Sequence, residues 1–307
     1  MTRHFMTIEQ QSQKDLSRIY QGAGAPIDDE LLKGQGVALV FERPSLRTRA
    51  SSSVAVHELG GFATFFSDDE IGLDSRESAE DVGRTLAQMY SIAALRVRNH
   101  DVFERIRVAT NNTMSLINLL SNEAHPTQAV ADVLTIAGHF AGGDVHQLAG
   151  LEVAYVGDAT NVTRSLAVAL LRLGVNVTIG APDTYQLRAG GVEDPAGVNE
   201  AGALRLTDSA QDAVKNADVV YTDAWVSMGM ESETSSRRQD LESFRVDEAL
   251  MGHAKDKAVL LHCLPAHRGD EVTDDVLDGA NSLVWRQVFH RRSAMIGVLR
   301  WIKEENE

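Results

Sequence analysis

The chain has 307 residues, 43% hydrophobic and 24% charged, enough for two domains that each bury a core. A net charge of −15 and the lack of any apolar run of membrane-spanning length argue against nucleic acid and membrane as partners. Residues 1–6 lack the apolar centre of a signal peptide, so a cytoplasmic protein is expected. In chain order, periodicity predicts a helix over 9–22, with Leu16, Ile19 and Tyr20 on one face, broken by Gly-Ala-Gly-Ala-Pro at 22–26. A buried strand at 36–40 hands over to a helix at 50–59 that stops at Gly60-Gly61, and a second strand follows at 62–66. Residues 67–74 read as an acidic loop. A helix at 77–90 should turn Val82, Leu86 and Met89 inward. The strand at 92–97 carries Arg96 near its end, a helix follows at 102–109, and another strand at 115–119. After it, His125-Pro126-Thr127-Gln128 opens a helix over 129–140, with Pro126 suited to a first helical turn.

This strand–helix alternation predicts a parallel sheet. It pauses at Ala141-Gly142-Gly143-Asp144 and restarts, with strands at 151–156, 175–180, 219–222 and 258–262, a helix at 162–173, and a last helix from about 288 to 305. The expected domains are therefore 1–142, completed by the C-terminal helix within 288–307, and 143–287.

The stretch Ser45-Leu46-Arg47-Thr48-Arg49 lies where a strand yields to a helix start. Unbonded backbone N–H groups, the positive end of the helix dipole, two hydroxyls and two guanidiniums suit a phosphate there. A capped helix start with two solvated arginines fits the same residues. Gly157-Asp158 lacks the three-glycine spacing of a dinucleotide loop. Asp223-Ala224-Trp225-Val226-Ser227-Met228-Gly229 puts a carboxylate, a hydroxyl and a thioether beyond a strand end, or simply forms a capped turn. The sole cysteine, Cys263, rules out an intrachain disulfide and a cysteine-rich zinc site. It is either a small buried apolar side chain or, with its pKa lowered by a partner, a reactive thiol.

Together these pieces resemble the carbamoyltransferases, most closely their ornithine branch. The family's Ser-Thr-Arg-Thr-Arg corresponds to residues 45–49, its His-Pro-x-Gln to 125–128, its Asp-x-x-x-Ser-Met-Gly to 223–229 and its His-Cys-Leu-Pro to 262–265. The resemblance implies two parallel-sheet α/β domains facing each other, the last helix crossing back onto the first. It implies homotrimers or multiples of trimers with the site at a subunit interface, and neither metal nor organic cofactor. The implied substrates are carbamoyl phosphate and L-ornithine, joined to give citrulline and phosphate. By resemblance, Ser45, Leu46 (through its N–H), Arg47 and Thr48 hold the phosphate with Arg96. Arg96, His125 and Thr48 polarise the carbamoyl oxygen, Gln128 accepts from the carbamoyl NH₂, and Arg291 reaches the same group. Asn161, Asp223, Ser227 and Met228 grip the amino-acid end of ornithine. Cys263 and the carbonyl of Leu264 sit by the reacting amine and the carbamoyl group, and Arg49 ties the motif helix to its surroundings.

Three departures stand out: Leu46 where the family has Thr, Glu70 where a loop reaching into a neighbouring subunit's site has Gln or His, and Phe289-His290-Arg291 where it has Glu-Asn-Arg. They leave open a carbamoyltransferase acting on another amine, such as N-acetylornithine or putrescine, or a silent ligand-binding homologue.

Overall fold

A computed structural model describes residues 2–187, 202–226 and 234–304. The chain divides into two units, one made of residues up to Ala131 together with those from Phe289 onward, the other of Asp132–Val288.

The first unit holds four parallel strands: β1 (Gly36–Phe41), β2 (Phe62–Ser67), β3 (Ile92–Arg96) and β4 (Ser115–Leu120), in the order β2-β1-β3-β4. β1, β3 and β4 are almost wholly buried, as the largely apolar strands of a parallel sheet covered on both faces are. The free side of β4 is covered by the N-terminal segment, where Phe5 pairs with Ile117. The core gathers Val40, Leu95, Phe103, Ile106 and Leu116.

Helix α1 (Gln13–Gly24) starts later than its periodicity predicts, because Ser12 accepts from the N–H of Asp15 and caps it there. Leu16, Ile19 and Tyr20 do form its buried face. Helix α2 (Leu46–Glu58) starts earlier than predicted, since Ser45 is its N-cap, so the phosphate-suited stretch is its first turn. The acidic loop contains a single helical turn, α3 (Asp68–Ile71). Helix α4 (Ala79–Ala87) buries Val82 and Leu86 but ends before Met89, which is 63% exposed rather than inward. Helix α5 (Asp101–Ala109) joins β3 to β4, and α6 (Pro126–Phe140) follows β4.

The second unit has five parallel strands: β5 (Glu152–Val156), β6 (Asn176–Gly180), β7 (Leu204–Thr207), β8 (Val219–Thr222) and β9 (Val259–His262), ordered β7-β6-β5-β8-β9. Helix α7 (Asn161–Leu171) follows β5, and shorter helices α8 (Ala210–Val214), α9 (Thr234–Leu241), α10 (Glu248–Met251) and α11 (Asp274–Leu277) fill the connections. The edge strand β7 escapes sequence reading because it is largely exposed and lacks an apolar run. Ala154, Val156, Val220, Leu260 and Val272 form part of the core.

The last helix, α12 (Val284–Lys303), begins four residues before its predicted start. Its later part packs on α1: Arg300 donates to the carbonyl of Gly22 at 2.8 Å and Trp301 Nε1 to Asp15 at 2.9 Å. A Cβ at Gly297 would lie 2.3 Å from the Ile19 carbonyl oxygen, so glycine is what lets the two helices approach. No helix among the described residues is long and apolar enough to cross a membrane.

Candidate active site

In an open parallel sheet, neighbouring strands whose connections leave in opposite directions open a crevice at their carboxyl ends. The first unit has this switch between β1 and β3, and the second between β5 and β8. Among the described residues singled out from the sequence, Ser45, Thr48, Arg96, Asn161 and Asp223 lie at or near these two places.

In the first unit β1 runs into Glu42 and the start of α2, while Arg96 ends β3 directly opposite Phe41. The two strand ends are tied together: Glu42 N–H donates to the Arg96 carbonyl at 2.9 Å, and the Glu42 carboxylate accepts from Arg98 N–H at 2.6 Å. Burial raises the Glu42 carboxyl above its ordinary range. Glu42 was not singled out from the sequence; its place between a strand and the phosphate-suited turn was the available signal.

Ser45 lies 2.9 Å from the hydroxyl of Thr48 and accepts from the Thr48 N–H at 3.4 Å, a long cap bond. Arg291, brought back by α12, donates to Thr48 Oγ1 at 2.7 Å and also to Gln128 Oε1. Thr48, Arg96, His125, Gln128 and Arg291 are all buried. Burial, then the charges of Arg291 and Arg96, hold His125 well below the ordinary histidine range, so it is neutral at physiological pH. The structure therefore gathers Ser45, Thr48, Arg96, His125, Gln128 and Arg291 into one cluster of donors beside the first turn of a helix. Such a cluster can bind a dianion and stabilise negative charge developing on a carbonyl oxygen.

Three residues of the same region face elsewhere. The Leu46 side chain is 79% exposed. Arg49 lies over the Phe65 ring at 3.7 Å, anchoring α2 to β2. Glu70 turns back on its own helical turn, where its carboxylate accepts from Ser67 N–H at 2.7 Å and Ser67 Oγ at 3.0 Å. Those bonds lower its pKa.

In the second unit Asp223 follows β8 and Cys263 follows β9, and the thiol donates to Asp223 Oδ1 at 2.9 Å. Asp223 also accepts from the N–H of Ala224 at 2.8 Å. Burial pushes its carboxyl up, and the bonds from the Cys263 thiol and the Ala224 N–H pull it partly back. Asn161 opens α7, which Thr160 caps. The turn before α7 is braced by a buried ion pair, Arg237 to Asp158 at 2.5 Å, and Arg237 also donates to the carbonyl of Trp225 at 3.1 Å. Arg237 carries no pattern that would have revealed this from the sequence. Ser227, Met228 and Gly229 lie outside the described residues.

Asp223, His262 and Cys263 bring one donor atom each within 4.8 Å of one another. His262 Nδ1 accepts from Leu264 N–H at 2.8 Å and its Nε2 lies 3.1 Å from Glu271, so a cation could use the imidazole only by displacing one of these partners.

Comparison with known proteins agrees with this layout. Residues 3–138 match the family described as aspartate/ornithine carbamoyltransferase, carbamoyl-P binding domain, and residues 149–302 match its Asp/Orn binding domain. The anabolic ornithine carbamoyltransferase of Pyrococcus furiosus is 38% identical over 284 residues, covering 92% of this chain and 87% of that one. The ornithine carbamoyltransferase of Acidothermus cellulolyticus is 39% identical over 300 residues, covering 95% and 93%. Among solved structures, that of the Pyrococcus furiosus enzyme superposes with a TM-score of 0.88 at 37% identity, covering 97% of this chain and 96% of the other. The anabolic enzyme of Campylobacter jejuni gives 0.89 at 29% identity, covering 98% of each. Shared sequence over both units, with the same fold, places the chain in the aspartate/ornithine carbamoyltransferase family.

Proposed function

We propose that the chain transfers the carbamoyl group of carbamoyl phosphate to the δ-amine of L-ornithine, giving L-citrulline and phosphate. The observation that carries the substrate choice is the Cys263–Asp223 pair at the ends of neighbouring strands, a thiol and a carboxylate of the kind that can face an amino acid's amines. The relatives named for ornithine support the same choice.

In this reading the phosphate sits on the first turn of α2, held by Ser45, Arg47, Thr48, the N–H of Leu46, and Arg96. The carbamoyl oxygen points at Arg96, His125 and Thr48, and Arg291 reaches the carbamoyl group. His125, kept neutral, acts as a hydrogen-bond donor and not as a proton reservoir. Gln128 contacts the carbamoyl NH₂. In the structure its carbonyl accepts from Arg291, so one guanidinium orients Gln128 and Thr48 together. Asn161, Asp223, Ser227 and Met228 hold the α-amino and α-carboxylate groups of ornithine. Cys263 and the Leu264 carbonyl contact the δ-amine and the carbamoyl group. The uncharged amine attacks the carbonyl carbon, a C–N bond forms, and the C–O bond to phosphate breaks with its electron pair leaving on phosphate. The amine proton is released. Direction toward citrulline follows the relatives named anabolic.

The same reading makes the protein a cytoplasmic homotrimer or multiple of trimers. Phe62 on the edge strand β2 and Leu46 and Val54 on α2 are exposed apolar side chains of the first unit, which supports association through it. Glu70 is the candidate for a contact with a neighbouring subunit's site.

The test is colorimetric measurement of carbamoylated product with ornithine, N-acetylornithine, putrescine and aspartate in parallel. Ornithine should be preferred by at least about a hundredfold in kcat/KM, the scale expected when buried polar partners would otherwise go unpaired. Turnover confined to another amine would contradict the assignment.

A further inference from the structure

Beyond β9 the chain makes a tight turn through Cys263 and Leu264, and the backbone of that turn calls for a support. Leu264 has a φ of 59°, in the left-handed region, though it has neither glycine's freedom nor a polar side chain to bond locally. Its N–H is taken by Nδ1 of His262, which is fully buried. An N–H donates, so Nδ1 carries no proton and Nε2 is the donor on the other side of the ring. Nε2 meets Oε1 of Glu271 at 3.1 Å, and the same oxygen accepts from the N–H of His267 at 2.6 Å. Glu271 is itself completely buried. Among the described residues the second Glu271 oxygen, Oε2, has no hydrogen-bond partner, and it lies 3.8 Å from Nδ1 of His267.

The strand side of the turn is held as well. His262 N–H donates to Gln287 Oε1 at 3.0 Å, and Gln287 Nε2 donates to Asp132 Oδ1 at 2.6 Å. Tyr221 OH donates to the other Asp132 oxygen at 3.1 Å. All of these groups are within a few per cent of full burial.

We propose that Glu271 is a positioning residue for the transfer: it holds the His262 ring in the one tautomer and orientation that supports the left-handed turn, and so fixes the Cys263 thiol and the Leu264 carbonyl. This rests on the reading that those two groups meet the reacting amine. What Glu271 supplies is an oxygen at a fixed reach, accepting two N–H groups. Both accepted bonds fall on Oε1, and a neutral carbonyl oxygen in the same place could accept them as well. An amide in the same place would keep both accepted bonds, whereas a carboxylate one methylene shorter would keep the charge and lose the reach.

The pair Glu271→Gln and Glu271→Asp therefore separates the two roles, read by ornithine kinetics and by the rate at which Ellman's reagent labels the native protein. Cys263 is the only cysteine, so labelling reports that turn alone and needs no substrate. Glu271→Asp should raise the KM for ornithine and the labelling rate about tenfold each, the usual order for a lost orienting contact, while Glu271→Gln stays within about twofold of the parent in both. Equal impairment of both variants, or an aspartate variant indistinguishable from the parent, would overturn the proposal. If Glu271→Asp does not fold, Glu271→Gln decides: parental labelling and KM support the proposal, and impairment in either overturns it. A parent that forms no citrulline but shows the expected order of labelling rates would remove the ornithine reading and leave the support of the turn by Glu271 standing.

Discussion

At the scale of single residues, burial sets the chemistry by favouring uncharged forms. His125 is driven down by burial and by two arginines, and Asp223 is driven up by burial. For His125 the consequence for stability has a definite sign. Below a pH of about 6.5 the unfolded chain takes up a proton that the folded chain refuses, so its contribution is complete above that pH and is lost as pH falls. For catalysis, His125 does not titrate where the enzyme works, while the δ-amine, with an alkylamine pKa of about 10, must lose a proton. We expect kcat/KM for ornithine to climb with pH. His125→Asn should lower kcat by about 10²-fold, the order for one lost oxyanion donor, and leave the slope of that climb unchanged. A variant whose pH profile flattened would make His125 a proton carrier instead.

At the scale of elements, the start of α2 combines a helix cap with a phosphate-suited turn. Ser45 is the N-cap, but its bond to the Thr48 N–H is long, at 3.4 Å, which leaves the hydroxyl little committed to the cap. Glycine is nearly as good an N-cap as serine, costing only a few tenths of a kcal/mol. Ser45→Gly should therefore leave the thermal midpoint almost unmoved and raise the KM for carbamoyl phosphate about tenfold, the order for a lost hydrogen bond to a charged group. An unchanged KM would reduce Ser45 to a cap. The elements were legible in the sequence where local chemistry decides them. Largely apolar runs marked β1, β3 and β4, and Pro126 marked the start of α6. They were misread at the helix starts: Ser12 caps α1 late, Ser45 occupies the N-cap position of α2 ahead of the expected start, and Glu70 closes a capping bond that turns an acidic loop into α3. Individual site residues could be picked out by type and place, but their partners could not. Nothing local links Arg291 to Gln128 and Thr48, Arg237 to Asp158, or Glu271 to the Leu264 turn, because these are contacts of the folded chain.

At the scale of the whole molecule, the chain is two α/β units, each with a switch point in its parallel sheet. The first offers cationic and neutral donors, the second a thiol–carboxylate pair, a division that suits two substrates of different charge. With exposed apolar side chains on the first unit, light scattering should find a mass of about 100 kDa, three times 33.4 kDa, or a multiple of it. A fully active species of the monomer's mass would contradict the trimer. The central claim is transfer of the carbamoyl carbon to ornithine, and the most direct measurement follows that carbon. With ¹³C-labelled carbamoyl phosphate and ornithine, carbon NMR should show the label passing into the ureido carbon of citrulline, with one phosphate released for each citrulline formed. Label that stayed in carbamoyl phosphate, or left only as its hydrolysis product at the uncatalysed rate, would contradict the account.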